Sequence, residues 1–175
     1  KREVEIYPGD SNIEIHKLLE SARIKQTEAT FCLLDQRTFQ CEWQTVEALA
    51  KYKTQGSKIE LFYFLANSWL GRTFAAQKRD LEMIEKWWGR DDWQTLRTMK
   101  SKRRAEAFVN RFKEELGYRS VQPWPIYEKI SGGGNIMYYM IHATDHDEAP
   151  KLMRRAYGKA VWSTQPAEQT SFQFE

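Results

Sequence analysis

Apolar and polar residues alternate over Val4-Glu5-Ile6-Tyr7, and Pro8-Gly9-Asp10 ends the alternation, which predicts a short strand closed by a turn. Ser11 or Asn12 then stands where a cap belongs, ahead of Ile13, Ile15, Leu18 and Leu19 at helical spacing. The unit repeats. Thr30 to Asp35 reads as a second strand, and Trp43, Val46, Leu49 and Ala50 recur as the buried stripe of a helix. Ile59 to Ala66 is a third strand whose nearly unbroken apolar run fits a parallel strand covered on both faces.

From Gln77 to about Leu116 the period is helical, interrupted at Gly89-Arg90-Asp91-Asp92, and Gly117 is placed to end the last helix. Residues 119–128 carry Pro123 and Pro125, which cannot donate to a ladder, so this strand belongs at a sheet edge. Ser131-Gly132-Gly133-Gly134 is a hairpin turn into Ile136 to Ile141, a second continuous apolar run that belongs inside the sheet. The pattern therefore predicts that the 136–143 strand lies antiparallel between 59–66 and the proline edge. A last helix spans about Asp147 to Val161, with Asp147 as its cap and Pro150 in its first turn. Strand-helix units closing with an antiparallel hairpin make an α/β three-layer sandwich, because right-handed crossovers keep successive strands parallel until the hairpin turns back. The domain is read as residues 1–162, with 163–175 a polar tail.

A length of 175 residues accommodates one domain of this kind and no second one. Seven Trp in a chain that is 14% aromatic exclude disorder despite a mean hydropathy of -0.72. A net charge of +3 permits nucleic acid but does not argue for it. The apolar runs are far shorter than the roughly 20 residues of a membrane span. Cys32 and Cys41 lack CxxC spacing, a secretory signal or a disulfide framework, which points to a reducing, cytoplasmic setting. The chain opens at Lys1 without an initiator Met and is strand-like by Glu3, so natural residues upstream of it are expected.

Tyr-Pro-Gly-Asp-Ser-Asn (7–12), Phe-Cys-Leu-Leu-Asp (31–35), Glu-Leu-Phe-Tyr-Phe-Leu (60–65) and Met-Tyr-Tyr-Met-Ile-His-Ala-Thr-Asp-His (137–146) together resemble the three-Cys-motif partner protein family. The resemblance covers nearly all of residues 3–162, and its last block is the most specific. It implies a Rossmann-like fold of the class I S-adenosylmethionine-dependent methyltransferase kind, taken from the third strand onward. It further implies a mostly bacterial protein, S-adenosylmethionine as cofactor, and a partner related to radical S-adenosylmethionine proteins that carries the three cysteines. Two departures bear on activity. Where the family commonly has Asp-Pro-x-Gly this chain has Asp35-Gln36-Arg37-Thr38, and outside the Gly132–Gly134 hairpin it has no Gly-x-Gly. A glycine-rich turn and a ribose-binding acid would thus lie upstream of Lys1.

In an open parallel sheet ligands bind beyond the carboxyl ends of the strands, where Asp10, Asp35 and Asn67 are all expected on one rim. Asp10, with Ser11 and Asn12, is either an ordinary turn and cap or, as the resemblance implies, the carboxylate that meets an adenine amino group. Asp35 and Gln36 are either a solvated loop or the pair that holds a nucleophile in line with a methyl donor, a reaction that needs orientation more than strong acid chemistry. Arg37, Thr38 and Asn67 are the matching substrate-side residues, or they satisfy the loop. His142, Asp145, His146 and Asp147 are read as structural, and no metal is assigned.

Between residues 97 and 113, seven Lys and Arg oppose only Glu106. With Trp87, Trp88 and Trp93 nearby this is either a solvated helix face or a nucleic-acid surface on which the indoles stack bases. The function read from the sequence is a methyltransferase-like domain acting on an unidentified acceptor. The alternative is a non-enzymatic module that binds a protein or nucleic acid through the basic helix.

Overall fold

The computed structural model describes residues 4–67, 70, 81–128 and 134–162. Along the chain these form α1 (Ser11–Glu20), β1 (Phe31–Leu34), α2 (Trp43–Lys51), β2 (Glu60–Leu65), α3 (Leu81–Trp88), a 3-10 turn (Asp91–Gln94), α4 (Thr95–Thr98), α5 (Ser101–Glu114), β3 (Ser120–Tyr127), β4 (Ile136–Thr144) and α6 (Ala149–Trp162). The fold is α/β around one four-stranded mixed sheet in the order β1-β2-β4-β3. β1 and β2 are parallel, with Leu33 opposite Phe62. β4 runs antiparallel to both neighbours, placing Ile141 between Tyr63 and Pro123. The proline-bearing strand is the edge that the sequence predicts, since neither imide nitrogen has a proton to give a second neighbour.

Register assigns every strand residue to a face. Leu61, Tyr63, Leu65, Tyr139, Ile141 and Ala143 point to one side and are buried beneath α2, α3 and α5. The i, i+3, i+4, i+7 set of α5, Ala105, Phe108, Val109 and Phe112, supplies the facing stripe, and Phe108 stacks on Tyr63 with ring centroids 5.7 Å apart. Arg111 enters this core as a cation. It lies 3.7 Å over the Trp43 ring and 4.3 Å over that of Trp88, and it donates to Glu115 through Nε at 2.6 Å and Nη2 at 2.7 Å. Burial pushes the Glu115 carboxyl upward, but the hydrogen bonds and charge of Arg111 and the charge of Arg90 outweigh it, leaving the group below its ordinary value.

The opposite face carries Phe31, Leu33, Glu60, Phe62, Phe64, Met140, His142 and Trp124. α6 covers its β3 side, with Tyr157 ring centroid 4.7 Å from Trp124 and the Tyr157 hydroxyl donating to the Pro125 carbonyl. On its β1 side Phe31 and Leu33 are exposed, and no helix among the described residues covers them.

Three expectations change. Val4 to Tyr7 is extended but joins no ladder, and Val4 and Ile6 are 84% and 85% exposed. Two apolar residues on one side are too few to fix a strand without a neighbouring edge, and here Glu5 and Tyr7 turn instead to Arg23. The helical stretch after β2 breaks at 89–90 as expected but breaks again at 99–100, giving α3, a 3-10 turn, α4 and α5, and residues 77–80 lie outside the described residues. Asp147 does not cap α6: the Glu148 carbonyl accepts from Lys151 and Leu152, so Glu148 holds that place, while Asp147 meets Arg119 at 3.4 Å. Residues 131–133 of the hairpin and the tail 163–175 also lie outside the described residues. No helix among the described residues is long and apolar enough to cross a membrane.

Candidate functional site

The chain leaves β1 at the carboxyl rim and must turn into α2, a turn whose polar backbone needs partners. Gln36 provides them. Its side chain is 5% exposed, with Nε2 donating to the Phe64 carbonyl at 3.1 Å and Oε1 accepting from the Cys41 amide at 3.0 Å. The amide thereby ties the loop to the end of β2, and both of its ends are engaged. Asp35, one residue earlier, is exposed, and among the described residues no hydrogen bond or ion pair engages its carboxylate. Arg37 is exposed and Thr38 half-buried, and the Arg37 amide donates to Gln40 Oε1 at 3.3 Å.

Asp10 has extended backbone at φ -72 and ψ 119 and caps α1, its Oδ1 accepting from the Asn12 amide at 2.9 Å. Asn12 reaches further. Its Nδ2 donates to the Gln40 carbonyl at 2.8 Å, and its Oδ1 accepts from the Glu42 amide and Thr45 Oγ1, both at 3.0 Å. Glu42 gives α2 no side-chain cap of its own, so Asn12 caps α2 from the neighbouring helix. Ser11 is exposed. Beside this corner lies an open cavity of about 530 Å³ between α1 and α2, lined by Asp10, Asn12, Ile13, His16 and Glu42 among others.

Asn67 sits just past β2 and is 2% exposed. Its Nδ2 donates to the Ser101 carbonyl at 2.6 Å and to Ser101 Oγ at 3.0 Å, fastening the start of α5 to the rim. Arg104 donates to Asn67 Oδ1 at 3.5 Å and to the Leu96 carbonyl at 2.7 Å. Asp10, Asp35 and Asn67 belong to the same end of the fold, and the cavity beside Asp10 is lined by neither Asp35 nor Asn67. Asn67 and Gln36 are holding residues, whereas Asp35, Arg37 and Ser11 face outward.

The basic stretch divides in the same way. Arg104 and Arg111 are buried and serve α5 packing, and Trp87, Trp88 and Trp93 are 0%, 3% and 2% exposed, so the indoles offer no face on which a base could stack. Burial also governs the two free thiols, pushing Cys32 up to about 11 and Cys41 up to about 12.

The sequence reading missed one cluster at the amino end of β2. Glu60 Oε1 lies 2.8 Å from His142 Nε2, and its Oε2 accepts from Thr144 Oγ1 at 3.2 Å. The signal was present as a single acid opening an apolar strand opposite His-Ala-Thr, but only the antiparallel register brings the two ends together. His146 serves a separate partner, its Nδ1 accepting from the Glu148 amide at 3.2 Å. No group of three metal-ligating side chains assembles among the described residues. No family model, curated protein or solved structure matches the chain.

Proposed function

We propose that the chain is a methyltransferase-like α/β domain of the three-Cys-motif partner kind. The observation that carries this reading is the strand order, in which β4 lies antiparallel between β2 and β3 while β1, β2 and β3 share one direction. The resemblance implies this reversed insertion for the end of a Rossmann-like, three-layer methyltransferase sheet. On this reading the Asp10–Asn12 corner faces the adenine side of S-adenosylmethionine. The outward Asp35, Arg37 and Thr38 face the methyl acceptor, while Gln36 and Asn67 keep the rim rigid behind them.

The residues present do not compose a whole cofactor site. Asp10 Oδ1 already accepts from Asn12, the cavity beside it between α1 and α2 is not lined by Asp35, and residues 1–175 hold no glycine-rich strand-to-helix turn for the methionine side. The cofactor, the acceptor and the radical S-adenosylmethionine-like partner therefore enter only as parts of the proposal. Calorimetric titration of S-adenosylmethionine into residues 1–175 should give no saturable heat. A longer protein in which a glycine-rich turn accompanies these residues should bind, and Asp10→Ala in it should weaken binding by about 1–3 kcal/mol. Tight binding by residues 1–175 would show that the site is misplaced, and no binding by the longer protein would favour a non-enzymatic partner module.

A further inference from the structure

Linear charge singles out α5, but the fold leaves the purer cationic surface on α6. Of the five Lys and Arg in α5, Arg104 and Arg111 are buried and Lys102 faces Glu106 at 4.0 Å. α6 carries Lys151, Arg154, Arg155 and Lys159 and no acid from Ala149 to Trp162. All four side chains are exposed. The acids just ahead of the helix are already engaged: Asp145 meets Lys58 at 3.5 Å, Asp147 meets Arg119 at 3.4 Å and Glu148 meets Lys151 at 2.7 Å. Among the described residues no hydrogen bond or ion pair engages the side chains of Arg154, Arg155 and Lys159.

Helical geometry gathers these cations on one side. At 3.6 residues per turn they span an arc of about 140° and a length of about 12 Å. Met153 and Tyr157 lie on the other side, half-buried, and Tyr157 fastens that side to β3 through the Trp124 ring and the Pro125 carbonyl. Gly158 falls inside the cationic arc, one turn on from Arg154 and Arg155. A helix interior disfavours glycine relative to alanine, and a Cβ added at this position would meet nothing within 4 Å, so packing within the chain does not call for it. Its missing side chain gives access to the helix backbone in the middle of the charged face.

A row of exposed cations is complementary to a regular array of fixed anions, and the backbone of a nucleic-acid duplex is such an array. Single-stranded bases would need rings on which to stack, whereas Tyr157 and Trp124 are turned to each other. A bilayer would need a broad apolar face, and among the described side chains of α6 Leu152 is the one large apolar group left exposed. We propose that α6 binds the phosphate backbone of a nucleic-acid duplex through Lys151, Arg154, Arg155 and Lys159, with one phosphate approaching over Gly158. These contacts hold the duplex without reading its sequence. The proposal does not depend on any cofactor or on methyl transfer.

The test titrates residues 1–175 into a fluorescein-labelled DNA duplex of about 20 base pairs and follows anisotropy at several salt concentrations. Up to four phosphate contacts predict saturable binding whose log affinity falls against log salt with a slope of roughly -3 to -4. Arg154→Ala combined with Arg155→Ala, both at exposed positions, should weaken binding about tenfold or more at low salt and reduce the slope by about 2. Gly158→Leu should weaken binding without lowering the thermal midpoint, because leucine favours the helix and enters open space. Lys102→Ala combined with Arg103→Ala on α5 should change neither affinity nor slope. A duplex that fails to bind the unaltered protein, a result that needs no variant, overturns the proposal, as does an unchanged slope in the Arg154 and Arg155 variant. An equal loss in the α5 variant moves the surface to α5 and overturns it too. Unweakened binding by Gly158→Leu overturns the approach of a phosphate over Gly158. Displacement of the duplex by phosphatidylserine vesicles or by poly-glutamate at a lower concentration of anionic groups assigns the face to a membrane or to an acidic protein and likewise overturns the proposal.

Discussion

Replacing Gln36 with Leu separates a residue that holds the rim from one that acts in it. The substitution keeps the volume and removes both polar ends, leaving the Cys41 amide and the Phe64 carbonyl without the partners they have at 3.0 and 3.1 Å. A buried backbone group left unpaired costs about 1–3 kcal/mol. The Cys41 bond is buried, and the Phe64 bond is partly open to water, which offsets some of its loss. The combined cost is about 2–4 kcal/mol. In a chain of this size that lowers the thermal midpoint by roughly 5–15 °C. Urea unfolding read by tryptophan fluorescence measures it, because Trp43, Trp87, Trp88 and Trp93 are all buried and report on the core. The midpoint should fall with an unchanged denaturant slope. Asp35→Asn, one residue away and exposed, should stay within about 0.5 kcal/mol. An unmoved midpoint for Gln36→Leu would refute the reasoning, because the amide would then be available to a ligand rather than committed to the loop.

Arg111→Lys should destabilise the protein by about 3 kcal/mol or more in the same assay, since an ammonium reproduces neither the stacking between Trp43 and Trp88 nor the two bonds to Glu115. Glu115 is held below its ordinary value of 4.5, so its contribution is complete above the unfolded value and is lost as pH falls through the lower folded one; Glu115→Gln should flatten the acid side of the stability profile below about pH 4.5 and nowhere else. A thiol reagent at neutral pH should find neither Cys32 nor Cys41 reactive in the native protein, and both after unfolding, because burial holds them near 11 and 12. Gly89→Ala should cost about 3 kcal/mol or more, because φ there is +71 and an added Cβ would come within 2.6 Å of the Trp43 Cβ.

Pro123 and Pro125 made the edge strand legible, and the apolar runs at 60–65 and 136–141 made the inner pair legible, because these signals are local consequences of hydrogen bonding and burial. The Val4 to Tyr7 alternation misled for the opposite reason: a strand exists only against another strand, and no local pattern states whether a partner is there. The rim residues show the same limit. Sequence placed Asp35 and Asn67 at strand ends correctly, but which polar groups are consumed by backbone partners depends on contacts such as Asn67 to Ser101, 34 positions away. The tryptophans near the basic helix looked available for stacking only because linear proximity hides that Trp87 and Trp88 face Phe108 at 5.1 Å. Glu60 and His142 are separated by 82 positions and meet only through register.

The functional reading depends on β4 lying between β2 and β3, and cross-strand proton contacts in an NMR spectrum of the labelled protein test this directly. The account predicts contacts from residue 143 to both 61 and 121, and from 141 to both 63 and 123, following the antiparallel registers on its two sides. Contacts joining β3 directly to β2, with β4 at the edge, would contradict it and remove the basis for a methyltransferase-like sheet.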